Sequence, residues 1–215
     1  MSGIRKWIKD PFPSISHFVG AALSIIAMVV LLEASSGKPW QIVSFAIYGA
    51  SMIALYLASG FAHSIRCSPA GEKWLDRCDY IAIFLLIAGT YTPVCLIALH
   101  GPWGWTILSA EWLMATVGIG LILLRGGMSD LVRTILYVSM AWMAIFAAVP
   151  VMRSLSIAAV CWMIGGGILY SVGAAIFVLD RPHIWPGRFH AHDLWHCLVL
   201  GGSACHFILM LCMIG

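Results

Sequence analysis

The sequence predicts an all-α, polytopic membrane protein: one bundle of seven transmembrane helices with a cytoplasmic N-terminus. Three observations carry this. Of 215 residues, 61% are hydrophobic and 10% charged, and the mean hydropathy is +0.95, whereas a soluble domain carries about 25% charged residues. The charges cluster between seven apolar runs, each near the ~20 residues a helix needs to cross a ~30 Å hydrocarbon core. No run alternates with period 2, which argues against a transmembrane β-barrel.

The first run, Ile15–Leu32, follows Arg5-Lys6-Trp7-Ile8-Lys9, whose bases and apolar residues alternate as in a segment lying along a membrane surface,. Residues 1–14 are therefore expected to form an interfacial N-terminus. A cleaved signal peptide fits less well, because Asp10-Pro11-Phe12-Pro13 interrupts the approach and Glu33 stands where small uncharged residues belong,. The remaining runs are Gln41–Ala62, Tyr80–Leu99, Trp103–Leu124, Leu131–Val149, Leu155–Leu179 and Leu194–Ile214. Short polar or Gly/Pro-containing segments separate them: Ser36-Gly37-Lys38-Pro39, Gly101-Pro102, Arg125-Gly126-Gly127 and Arg181-Pro182,. Nothing marks a repeat or a second domain, so residues 1–215 are read as a single unit.

Orientation follows from the connections. Ten of the 12 basic residues fall on one side: Arg5, Lys6, Lys9, Arg66, Lys73, Arg77, Arg125, Arg133, Arg181 and Arg188, against Lys38 and Arg153 on the other. The positive-inside rule puts the N-terminus and the even loops in the cytoplasm and the C-terminus outside, in an inner or plasma membrane. The net charge of +3 is thus a topology signal, and no nucleic-acid partner is implied.

Most polar and aromatic features read as packing or anchoring. Trp40, Trp74, Trp103, Trp105, Trp185 and Trp195 lie near run ends, as an interfacial belt would have them,. Gly165-Gly166-Gly167 and Gly201-Gly202 would let helices approach closely,. Of seven cysteines, Cys95, Cys161, Cys197, Cys205 and Cys212 fall inside runs as small apolar filler, while Cys67 and Cys78 share a loop on the reducing side,. Pro93 would kink the third helix one turn back at Gly89, with Thr90 and Thr92 satisfying freed carbonyls,. That kink would shape a cavity able to take a lipid chain.

A second group of polar residues is informative by its side. Ser59 and His63, four apart, end the second helix; Asp79 opens the third; His192 and His196, again four apart, open the seventh,. All five meet the cytoplasmic leaflet. Three imidazoles plus water is the usual ligand set of an open tetrahedral zinc site, so His63, His192 and His196 are the expected metal ligands. Asp79 is then free to act as a base or orienting group toward a bound water, with Ser59 steadying it. Imidazole ligands favour Zn2+. Two bland alternatives stand beside this reading: lone interfacial histidines, and a Ser59–His63–Asp79 hydrolase triad that would leave His192 and His196 unexplained. Glu111 is expected to find an interhelical donor or reach the interface, and His206, about 15 Å beyond His196, to hydrogen-bond within the bundle,. His17 enters the first helix on the site's side, so a supporting role is open. His100, His183 and His190 are loop residues, the last a neighbour of the site.

Taken together, three segments resemble one family. The stretch Asp79-Tyr80-Ile81-Ala82-Ile83-Phe84-Leu85-Leu86-Ile87-Ala88-Gly89-Thr90-Tyr91-Thr92-Pro93 is similar to the third-helix signature of hemolysin III-like proteins, the bacterial branch of the progestin and adipoQ receptor family. Ser59-Gly60-Phe61-Ala62-His63 resembles its SxxxH motif, and His192-Asp193-Leu194-Trp195-His196, continued by Cys197 to Phe207, its HxxxH helix. The resemblance implies seven helices, a zinc on His63, His192 and His196, and Asp79 and Ser59 beside its water. Kinship with alkaline ceramidases implies lipid amide hydrolysis. The first helix departs from the family, since Asp10-Pro11-Phe12 precedes Pro13-Ser14-Ile15-Ser16-His17 without the usual acidic residue and Asn, so no contribution from it follows.

The expectation is therefore a zinc protein acting on membrane lipids, as a hydrolase of lipid amides or esters with catalytic Asp79 and Ser59. The alternative is a non-catalytic regulator or sensor of membrane fluidity and lipid homeostasis with a structural zinc. A membrane-lysing hemolysin ranks last, because seven inserted helices describe a resident protein.

Overall fold

The computed structural model describes residues 8–125, 128–182, 184–185 and 189–214. Ile4, Arg5, Lys6, Trp7, Gly126, Gly127, His183 and Arg188 lie outside them, as does the Arg125 side chain. Seven helices are long and apolar enough to span a membrane: Pro11–Ala34, Pro39–Ser64, Pro69–Leu99, Gly101–Leu124, Asp130–Ser154, Ile157–Leu179 and Ala191–Leu211. Large apolar side chains such as Val19, Leu23, Leu113, Phe146 and Ile157 point outward, as a lipid-facing surface requires.

Sequence-local chemistry sets the helix starts. The first three spans each begin with a proline, whose missing N–H costs nothing there,. Ser68, Ser129 and Ser156 cap the third, fifth and sixth spans through their hydroxyls,. The third span therefore starts at Pro69, eleven residues before the apolar run expected at Tyr80. Asp79 does not open this helix; it lies ten residues inside, and the polar turns bearing Glu72, Lys73, Asp76 and Arg77 precede it.

Two spans lose regular geometry at neighbouring positions. At Pro93 the third span continues as a π-helix, Val94–Leu99. Thr90 and Thr92 donate to the carbonyls of Leu86 (2.7 Å) and Ala88 (2.9 Å), not to that of Gly89. Gly89 is instead a contact point, where a Cβ would collide with Ser51 of the second span. The fifth span, expected to be continuous, breaks into Asp130–Ala141, a 3-10 stretch Met143–Ala147 and Ala148–Ser154. Tyr91 repairs the break: its hydroxyl donates to the Ala141 carbonyl and accepts from the Ala144 N–H, both at 2.9 Å.

The first span packs on the second and returns to the seventh, the second packs on the third, and the sixth packs along the seventh. Tyr56 of the second span donates to Ser203 of the seventh (2.7 Å), and Tyr170 of the sixth meets the same hydroxyl at 2.8 Å. Trp40, Trp74, Trp103, Trp105 and Trp185 are exposed near span ends. Trp195 differs, since its ring packs over Gly173 of the sixth span inside the bundle. Cys67, Cys78, Cys95, Cys161, Cys197, Cys205 and Cys212 are all free.

Glu111 corrects the sequence reading. It is fully buried in the fourth span, and neither carboxyl oxygen has a hydrogen-bond partner among the described residues. It neither reaches the interface nor finds a donor. Its run places it about 15 Å from the Gly101 end,, where an unpaired polar group is costly.

Two substitutions test this account through thermal unfolding in detergent. Tyr91→Phe strands a backbone carbonyl and an N–H in the apolar interior, so stability should fall by about 1–3 kcal/mol; an unchanged midpoint would mean that the break is satisfied some other way. Glu111→Met should raise stability by about 1–3 kcal/mol, because it removes an unpaired polar group at similar length. A drop on that substitution would mean the carboxyl is satisfied after all.

Candidate metal centre

The site forms where the second span ends and the seventh begins. His63 lies in the last turn of the second span, and His192 in the first turn of the seventh. That seventh helix starts at Ala191 because the Asp193 carboxylate accepts from the His190 N–H at 2.8 Å, which satisfies one of its free N-terminal donors. This cap puts His192 and His196 one turn apart on the face toward His63. His190 thus sets the helix start and does not line the site.

Three ring nitrogens converge. His196 Nε2 lies 2.9 Å from His192 Nε2, and His192 Nε2 lies 3.4 Å from His63 Nε2. All three ligand atoms fall within 4.8 Å of one another, and they form the one cluster among the described residues able to hold a metal ion. A tetrahedral zinc with Zn–N distances of 2.0–2.1 Å spaces its ligand nitrogens about 3.3 Å apart. The donor set and its spacing fit such an ion. His196 is buried, and His63 and His192 are half-buried.

The same rings line a cavity of about 190 Å³ that opens to the exterior. Ser59, His63, Asp79, His192 and His196 all face it, so the five residues singled out from the sequence share one chamber. Asp79 has His63 and the Ser59 hydroxyl as electrostatic neighbours. Beyond this polar end the walls are largely apolar and run past Leu86, Val94 and Val199 to Leu209. His206 also lines the chamber, and its Nε2 donates to the Met163 carbonyl at 3.3 Å.

Three residues near the site were not assigned to it from sequence. Asp10, read as an interruption before the first span, accepts from His63 Nδ1 at 3.0 Å, and its backbone N–H donates to the His63 carbonyl at 2.8 Å. The His63 hydrogen bond holds the Asp10 carboxyl below the usual carboxylate range, against partial burial, which pushes the other way,. His17, almost fully buried, brings Nε2 to 2.7 Å from His196 Nδ1. The first span therefore reaches the cluster, through Asp10 just before it and His17 within it. Arg133, counted from sequence as a topology signal, is buried at the cavity mouth over the Tyr80 ring, 3.5 Å from its centroid, and pairs with Asp130 at 2.6 Å. Asp10 and His17 pair across helices, which leaves little local sequence signal, although an acidic residue just before a span with a histidine two turns in was a usable hint; Arg133 pairs within its own helix, three residues from Asp130.

Comparison with known proteins places the chain. A family model described as Haemolysin-III related matches residues 5–207. The chain is 39% identical over 214 residues to "Hemolysin-3" of Bacillus cereus, covering 98% of this chain and 94% of that protein. It is 41% identical over 200 residues to the "Hemolysin-3 homolog" of Bacillus subtilis (strain 168), covering 92% and 91%. A more distant relative is the human "Monocyte to macrophage differentiation factor", 24% identical over 196 residues, covering 88% and 79%. Seven spans, a histidine cluster joining the second and the last, and a match over almost the whole length agree: the chain belongs to the haemolysin-III-related proteins of the progestin and adipoQ receptor family.

Proposed function

We propose that this protein is a zinc-dependent hydrolase of lipid amides or esters, working from the cytoplasmic leaflet of the cell membrane. The observation that carries the proposal is the convergence of three imidazole nitrogens at the polar end of a long apolar chamber. His63, His192 and His196 would hold the ion. Bound there, zinc supplies a Lewis acid for a carbonyl oxygen and lowers the pKa of a coordinated water to about 7.

The remaining steps belong to the chain itself. The apolar walls hold an acyl chain along the bundle, so that its carbonyl end meets the polar floor and bulk water is largely kept out. Asp79 takes a proton at its carboxylate during attack and returns it to the leaving group. Ser59 donates a hydrogen bond that keeps this carboxylate turned into the chamber. The site lies on the same side of the bundle as the N-terminus, because an even number of crossings separates them from either His63 or His192. The ten-to-two distribution of basic residues supports a cytoplasmic placement of that side,.

Three experiments test the proposal. Reporter fusions should report the C-terminus outside; a cytoplasmic C-terminus would move the site to the other leaflet. Protein purified without chelator should carry about one zinc per chain, and His192→Ala or His196→Ala should lose it and lower the melting temperature, since metal binds the folded state. Asp79→Asn should keep its zinc while hydrolysis of a panel of lipid amides and esters falls by roughly 10²–10⁴, the usual worth of a positioned base. Wild-type turnover in zinc-loaded Asp79→Asn would end its role as the base. A zinc-loaded wild type inert on the whole panel would favour the regulator of membrane fluidity, with the metal pinning the second and seventh spans together.

A further inference from the structure

The first span offers no ligand to the histidine cluster, yet its polar atoms touch two of the three ligands on their far sides. Asp10 Oδ2 meets His63 Nδ1 at 3.0 Å, and His17 Nε2 meets His196 Nδ1 at 2.7 Å. An imidazole that ligates through Nε2 must carry its proton on Nδ1, and that proton needs an acceptor. Asp10 is such an acceptor by chemistry. His17 is one only when its own proton sits on Nδ1, and that atom is buried with no partner. In this tautomer two of the three ring protons are drawn outward and the Nε2 lone pairs of His63 and His196 face His192. In the reverse tautomer of the His17–His196 pair, His196 Nε2 would carry a proton into the cluster.

We propose that Asp10 and His17 are positioning residues for the metal: they fix the tautomer and ring orientation of His63 and His196, so that the first span sets the affinity of a site to which it donates nothing. The inference rests on the metal reading above. Its attachment is specific. Asp10 grips His63 twice, through its carboxylate and its backbone N–H, and the Ser14 and Ser64 hydroxyls meet one turn further on. His17 is clamped as well, edge-on to the Tyr56 ring at 5.0 Å between centroids. Neither side chain can turn away without breaking a contact to another span.

The test uses full-length apoprotein in detergent, titrated with Co2+ against a competing chelator, with the cobalt d–d absorption as a reporter of coordination geometry. Asp10→Ala and His17→Leu should each weaken binding by about 10–100-fold, the usual cost of losing an outer partner of a ligating histidine, and should distort the tetrahedral cobalt spectrum. Asp10→Asn and His17→Gln keep an oxygen acceptor and should recover much of both. Ser24→Ala, in the same span but bonded only to its own helix at Gly20, should bind as the wild type does. Gel filtration of each variant separates loss of acceptor from loss of fold. Wild-type affinity and spectrum in folded Asp10→Ala and His17→Leu would overturn the inference, as would amide variants no better than the truncations. A wild type that takes up no metal at all would instead remove the metal reading, and this inference with it.

Discussion

A polar group inside an apolar bundle must find a partner there, because no water is at hand to replace one. The arrangement of this protein follows from that constraint. Where the fifth span breaks, the Tyr91 hydroxyl serves both the stranded carbonyl of Ala141 and the N–H of Ala144. Where three spans meet, Tyr56, Ser203 and Tyr170 share one hydroxyl cluster. Arg133, buried at the mouth of the chamber, has Asp130 beside it and the face of Tyr80 beneath it,. The exceptions are correspondingly informative. Among the described residues, the inward nitrogens of His63, His192 and His196 meet one another, and the Glu111 carboxyl has no hydrogen-bond partner.

Those two exceptions differ in kind. The imidazole nitrogens gather at a chamber open to the exterior, at a spacing that suits an ion, and two of the three rings have a partner behind them, Asp10 and His17. Glu111 sits among Tyr91, Cys95 and other side chains of the apolar interior and does not line that chamber. Unpaired donors that converge in an accessible space have a ligand chemistry; a lone acid sealed in the interior has only a cost. This is why the histidines carry the functional proposal and Glu111 a stability prediction.

The sequence made the spans legible because crossing a bilayer requires an uninterrupted apolar length, and hydropathy records that directly. It made the histidine pairs legible because a spacing of four residues on a helix puts two side chains on one face. It hid what depends on pairing across helices or on local capping. Pro69 and Ser68 start the third helix within polar sequence, so hydropathy placed the start too late and put Asp79 at the helix end. The break after Ala141 has no proline or glycine at the break itself to announce it, since Pro150 falls beyond the 3-10 stretch. Asp10 and His17 lie seven residues apart on one strand of sequence, but they act on ligands 53 and 179 residues away.

Charge balance ties these strands together. A divalent ion on neutral imidazoles keeps both of its positive charges, and the end of a helix modifies that burden. The C-terminal end of the second span, where His63 sits, is the negative end of its dipole and favours a cation; the N-terminal end of the seventh, where His192 sits, is the positive end and opposes it. The two contributions largely offset, so the compensation must come from side chains. Asp193 caps the very helix end that opposes the ion, Asp79 faces the chamber, and Asp10 stands behind His63. Each belongs to a different span or its approach. Binding an ion here would therefore draw the first, second, third and seventh spans together around the mouth of the chamber, so that such an ion would brace that mouth whatever chemistry it supplied.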